Sequence, residues 1–99
     1  MPDRSYTNEQ LEDAVRACLM DIVPDVDLYV VRASDTPQRR RYVRVGIAAQ
    51  DPATSVLVYL PDRPVAASDV PRITRLAYNT LLDLRAARPG EVVELEYLG

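Results

Sequence analysis

From Leu11 to Ile22, apolar side chains return every three or four residues, at Leu11, Ala14, Val15, Cys18, Leu19 and Ile22, while Glu12, Asp13 and Arg16 take the other side. That period is the 3.6-residue turn of an α-helix with one face to pack. Thr7 and Gln10 have the Thr-x-x-Gln spacing of a capping box, and Tyr6 and Leu11 that of a hydrophobic staple. The helix is therefore expected to start at Asn8, and Pro24 stops it.

The period then falls to two. Val26 to Ala33 is a β-rich run with Leu28 and Val30 on one face and Tyr29 and Val31 on the other, apolar on both sides. Ser34 to Gln38, with Asp35 and Pro37, predicts a turn or loop. Arg40 to Ala49 alternates as a second strand, with Val43, Val45 and Ile47 on one side and Tyr42, Arg44, Gly46 and Ala48 on the other. Asp51 and Pro52 mark a connection, and the nearly continuous apolar run Val56 to Leu60 fits a short strand buried on both faces. Pro61 to Ala67, with two prolines, predicts a crossover loop. Ser68 or Asp69 then caps a second helix whose stripe is Ile73, Leu76, Ala77, Thr80, Leu81 and Leu84, with Arg85 and Arg88 near its negative end and Pro89 and Gly90 ending it. Glu91 to Leu98 alternates again, with Val93, Leu95 and Tyr97 inward and Glu94 and Glu96 outward.

The predicted order, α-β-β-β-α-β, is that of a single α+β domain over residues 1–99. It predicts a two-layer sandwich in which a four-stranded, mainly antiparallel sheet carries two helices on one face. Two helices cover only one side, so Tyr29, Val31 and Ala48, with Tyr42, are expected on the uncovered side. A contiguous apolar patch there reads as a partner interface.

Composition narrows the chemistry. The chain has no His and no Lys, so all 12 basic residues are Arg. Arg stays protonated and serves neither as a general base nor as a metal ligand, and no unperturbed side chain titrates between pH 5 and 8. A catalytic role is not expected, nor is a cofactor: phosphate-binding Gly-rich loops, nucleophile elbows and Cys-x-x-Cys pairs are missing, and only three glycines exist to build them. The absence of Lys, Phe and Trp beside abundant Ala, Val, Arg and Pro points to a GC-rich coding sequence, of a bacterium or one of its phages. Cys18 falls on the apolar stripe of the first helix and reads as a small buried hydrophobe. Nothing resembles a signal peptide or a membrane span, so the expected place is the cytoplasm, or a virion if phage-encoded.

The net charge of −3 argues against general attraction to polyanions but leaves room for a local basic site. Arg39, Arg40, Arg41 and Arg44 form the only basic cluster, with Tyr42 inside it. Such a strand could contact nucleic acid through phosphate attraction and base stacking. The competing reading is structural: Arg40 and Arg44 share a face by parity, as do Glu94 and Glu96, and opposite charges across a sheet stabilise it. Asp21, Asp25 and Asp27 cluster at the end of the first helix, but their spacing matches no calcium loop, and no metal is expected.

The element order is similar to that of two kinds of assembly protein, the phage head-tail joining and tail-terminator proteins and the secretion-chaperone domains. The resemblance covers most of the chain, rests on order alone and transfers no residue. It implies a non-catalytic protein-protein assembly or adaptor domain, self-associating as a homo-oligomer or docking a protein partner. The alternative is a nucleic-acid-binding regulator using the Arg-rich strand.

Overall fold

The computed structural model describes residues 6–48 and 54–98. Its elements are α1 (Asn8–Ile22), a single 3-10 turn (Val26–Leu28), β1 (Tyr29–Asp35), β2 (Arg41–Ile47), β3 (Ser55–Tyr59), α2 (Asp69–Ala87) and β4 (Val92–Glu96). The sheet order is β1-β2-β3-β4, antiparallel between the first three strands and parallel between β3 and β4. The α+β order α-β-β-β-α-β and the mostly antiparallel sheet are therefore as expected. The one parallel pair follows from α2, which carries the chain back along the sheet before β4 begins.

The start of α1 is built as its sequence predicts: Thr7 Oγ1 accepts from the Gln10 N–H at 3.1 Å, and Gln10 Oε1 accepts from the Thr7 N–H at 3.0 Å. At its other end the expected Ile22 is 38% exposed, and Val23, the C-cap, is buried in its place. Ile22 is the last helical residue, and the extended backbone of Val23 just after it turns the Val23 side chain to the core. The first strand begins at Tyr29 rather than Val26, because residues 26–28 close a 3-10 turn with the Leu28 N–H donating to the Asp25 carbonyl. It also runs on to Asp35, past the point where a loop was expected.

Helix α1 lies over β1, and α2 lies over β2 and β3. Their buried residues, among them Leu11, Val15, Leu19, Ile73, Ala77 and Leu81, meet one face of the sheet. That face is set by cross-strand register: Val31 opposes Val45, Ala33 opposes Val43, Val43 opposes Val58 and Val45 opposes Val56, and all six are buried. Val31 therefore belongs to the core, not to the uncovered side.

Two glycines have specific uses. Gly90, at φ 88°, is the third residue of the turn Arg88–Glu91 that follows α2, in which the Glu91 N–H donates to the Arg88 carbonyl at 3.3 Å after Pro89, and its own N–H donates to Thr54 Oγ1 at 2.7 Å. Gly46 is needed for space: a Cβ there would lie 2.7 Å from Ser55 Oγ and 3.2 Å from the Thr54 carbonyl oxygen. Gly46→Ala is expected to cost about 1–2 kcal/mol of stability through overpacking. Adding Ser55→Ala, which removes the nearest clashing atom, should recover part of that loss in a urea-denaturation double-mutant cycle. Strictly additive costs would show that Ser55 is not the obstacle.

Candidate functional site

No described helix lies on the second face of the sheet, and that face is polar rather than apolar. Register places its side chains in three rows: Val30, Gly46, Ser55 and Val92; then Arg32, Arg44, Leu57 and Glu94; then Ser34, Tyr42, Tyr59 and Glu96. Arginines stand on β1 and β2, and glutamates stand on β4. Between them Tyr42 and Tyr59 pack as a tilted pair with ring centroids 5.8 Å apart. Arg40 lies over the Tyr59 ring, 5.3 Å from its centroid, and donates to Glu96. The Tyr59 hydroxyl donates to Glu94 Oε2 at 3.0 Å, and that bond pushes the Tyr59 pKa upward. Arg44 donates to Ser55 Oγ from both Nε and an Nη, at 3.3 and 3.2 Å, so it is oriented along the sheet beside Arg32.

Where β1 and β2 join, the turn Thr36–Arg40 faces the connection from β3 to α2 across an open cleft of about 650 Å³. Arg39, Arg40, Arg41 and Arg63 line it, with Asp35, Asp62 and apolar walls of Leu60, Pro61, Pro64 and Val65. Behind the cleft sits Asp69, the first residue of α2 and the one buried carboxylate among the described residues. Arg63 grips it with two bonds of 2.8 and 3.1 Å, the Ala66 N–H donates at 2.8 Å, and the Tyr97 hydroxyl donates at 2.8 Å. The Arg63 guanidinium first, then the Ala66 N–H and the Tyr97 hydroxyl, outweigh burial and hold this carboxyl well below the usual carboxylate range. The cluster ties together the crossover loop, the start of α2 and the end of β4.

The two sheet edges differ. On β1, the outward N–H of Ala33 donates to Glu12 Oε2 of α1 at 2.9 Å, and the Asp35 carboxylate accepts from Asn8 Nδ2 at 3.1 Å, so α1 takes one of the outward main-chain donors of that edge. On β4, the Glu91 carbonyl and the Tyr97 N–H bond to β3, and by alternation the N–H and C=O groups of Val92, Glu94 and Glu96 point away from the sheet. Among the described residues no element pairs with them. Val92 and Leu98, at the ends of this edge, are 53% and 86% exposed.

The four residues expected at a partner interface are thus separated. Val31 is buried beneath α1 at 7% exposure, and Tyr29 lies on the same helix-bearing face, edge-on to Tyr78 of α2 with centroids 6.1 Å apart. Tyr42 is on the open face, and Ala48 is exposed in the turn after β2. Of the basic cluster, Arg39, Arg40 and Arg41 enter the cleft while Arg44 stays on the sheet face. The expected pairing of Arg40 with a strand-4 glutamate is present, but it spans the intervening β3; Arg44 pairs with Ser55 instead. Of the aspartates after α1, Asp27 pairs with Arg16 at 3.4 Å. Among the described residues no group of three carboxylates or cysteines could hold a metal ion, and no helix is long and apolar enough to cross a membrane.

Sequence inspection overlooked Arg63 and Asp69 as partners. A polar pair six residues apart across a proline-rich loop was the available signal, but nothing in it announced that Asp69 would be buried. No protein family, curated protein or solved structure matches this chain.

Proposed function

We propose that this chain is a non-catalytic assembly or adaptor domain that docks an extended segment of a protein partner along the outer edge of β4. The observation that carries this reading is the β4 edge, whose outward main-chain groups no described element meets and which exposed Val92 and Leu98 flank, whereas on β1 the residues Val31 and Ala33 are buried and α1 takes the Ala33 N–H. Strand addition supplies affinity through main-chain hydrogen bonds and specificity through alternating side chains. On the open face an added strand would lie beside Glu94 and Glu96, which calls for basic residues. On the other face it would meet the partly buried Val93 and Leu95, which calls for apolar ones. Two copies joined edge to edge through β4 would instead bring glutamates together, so the partner is a different protein. The similarity of element order to phage head-tail joining proteins and secretion chaperones agrees with an assembly role.

The test uses two synthetic heptapeptides, alternating Val–Arg and alternating Val–Glu. The Val–Arg peptide is expected to slow amide exchange at Glu94 and Glu96 and to leave β1 unchanged. Val92→Pro removes an outward donor at the first residue of an edge strand, where proline is tolerated, and should weaken binding about tenfold. Equal binding of the Val–Glu peptide, or protection unaffected by Val92→Pro, would reject the β4 edge. Light scattering over a concentration series is expected to give a monomer for the chain alone, and a stable oligomer would overturn the choice of a different protein as partner.

A further inference from the structure

Arg39 has a backbone φ of 63°, in the left-handed region that glycine occupies freely and other side chains occupy at a cost of about 1 kcal/mol. It is the fourth residue of a tight turn that its own N–H closes by donating to the Thr36 carbonyl, with Pro37 in the second position. In hairpins of this kind that left-handed position is usually glycine. The turn itself does not need an arginine, because its bonds come from the backbone and from Thr36 Oγ1, which accepts from the Arg40 N–H. Nor is the Arg39 guanidinium used elsewhere: it is exposed and has no hydrogen-bond or ion-pair partner among the described residues.

Its neighbours in the cleft are held in place. Arg41 donates to the Tyr6 carbonyl, Arg40 is fixed by Glu96 and the Tyr59 ring, and Arg63 is fixed by Asp69. The turn sets the left-handed backbone but not the choice of arginine over glycine, and an uncommitted guanidinium beside three positioned ones suits a discrete anion. We propose that the cleft between the β1–β2 turn and the β3–α2 connection binds a small organic anion through a carboxylate or phosphate group, with Arg39 closing on it. The half-buried Pro61 and the exposed Pro64 receive the ligand's apolar body, and the cleft volume of about 650 Å³ lies in the range of small-molecule sites. Asp35 and Asp62 in the same lining oppose a continuous phosphate backbone and favour one discrete anionic group. This site does not rest on strand docking at β4, although the two share Glu96, which fixes Arg40.

The experiment is an NMR titration of the full chain at constant ionic strength with citrate, phenyl phosphate and a thymidine decanucleotide, with sodium chloride as the blank. Saturable shifts of the amides of Gln38 to Arg41 and Asp62 to Val65 are expected with citrate or phenyl phosphate, and whichever binds more tightly identifies the anionic group. Arg39→Gly should weaken that binding at least tenfold while keeping or raising the thermal midpoint, because glycine relieves the strained position. Arg39→Asn, which also tolerates this backbone conformation, serves as the second variant. Shifts no larger than those with chloride, or unchanged affinity in both variants, would overturn the site. Tighter binding of the oligonucleotide, weakening steeply when its titration is repeated at higher salt, would overturn it in favour of a nucleic-acid interface.

Discussion

Val31→Glu is expected to unfold the domain, and Val30→Glu, one residue earlier, to leave it folded. Val31 is 7% exposed and packs between the sheet and α1, opposite Val45. A carboxylate there has no partner, and its burial costs about 4 kcal/mol or more, a large share of what holds a domain of this size together. Val30 points to the open face at 37% exposure, opposite Gly46, and a glutamate there reaches water at a cost within about 1 kcal/mol. Circular dichroism and urea midpoints of the two variants check this directly. The reverse ranking would mean that the strand presents its other face to the helices.

Removing the buried carboxylate is the second large effect. Asp69→Ala leaves Arg63, the Ala66 N–H and the Tyr97 hydroxyl without their shared acceptor and is expected to cost about 3 kcal/mol. Its pH dependence has a definite sign. Asp69 has a lower pKa folded than unfolded, so its stabilisation is fully present above the unfolded value of about 4 and is lost as pH falls through the folded value. Urea unfolding of the wild type between pH 6 and pH 2 should therefore fall more steeply than that of Asp69→Asn, which cannot titrate. Parallel pH profiles would show that the carboxylate's charge is not what the cluster uses.

The element types were legible because each rests on local physics. The capping box at Thr7 and Gln10, the three-and-four spacing through Leu19, the prolines after each helix and the alternation of Val93, Leu95 and Tyr97 act within a few residues of one another. Which face of β1 turns inward was less legible, since Val30 and Val31 are equally apolar. The signal lay further on: Arg32 and Ser34 continue the face of Val30, and Ala33 continues that of Val31. Ending the strand at Ala33 left Ser34 out of the comparison.

By itself, then, the sequence determined the α+β class, the order of its elements, the all-arginine basic chemistry and the outward glutamates of the last strand, because periodicity, caps and composition are properties of neighbours along the chain. Only the tertiary structure decided that Val31 is core, that α1 takes an outward N–H of β1 while no described element meets the outer edge of β4, and that Asp69 meets Arg63 and Tyr97 behind a cleft lined by Arg39 to Arg41. Those outcomes depend on strand register and on contacts between residues as much as 56 positions apart, as for Arg40 and Glu96. Burial and pairing at such separations are set when the layers close, and no local pattern encodes them.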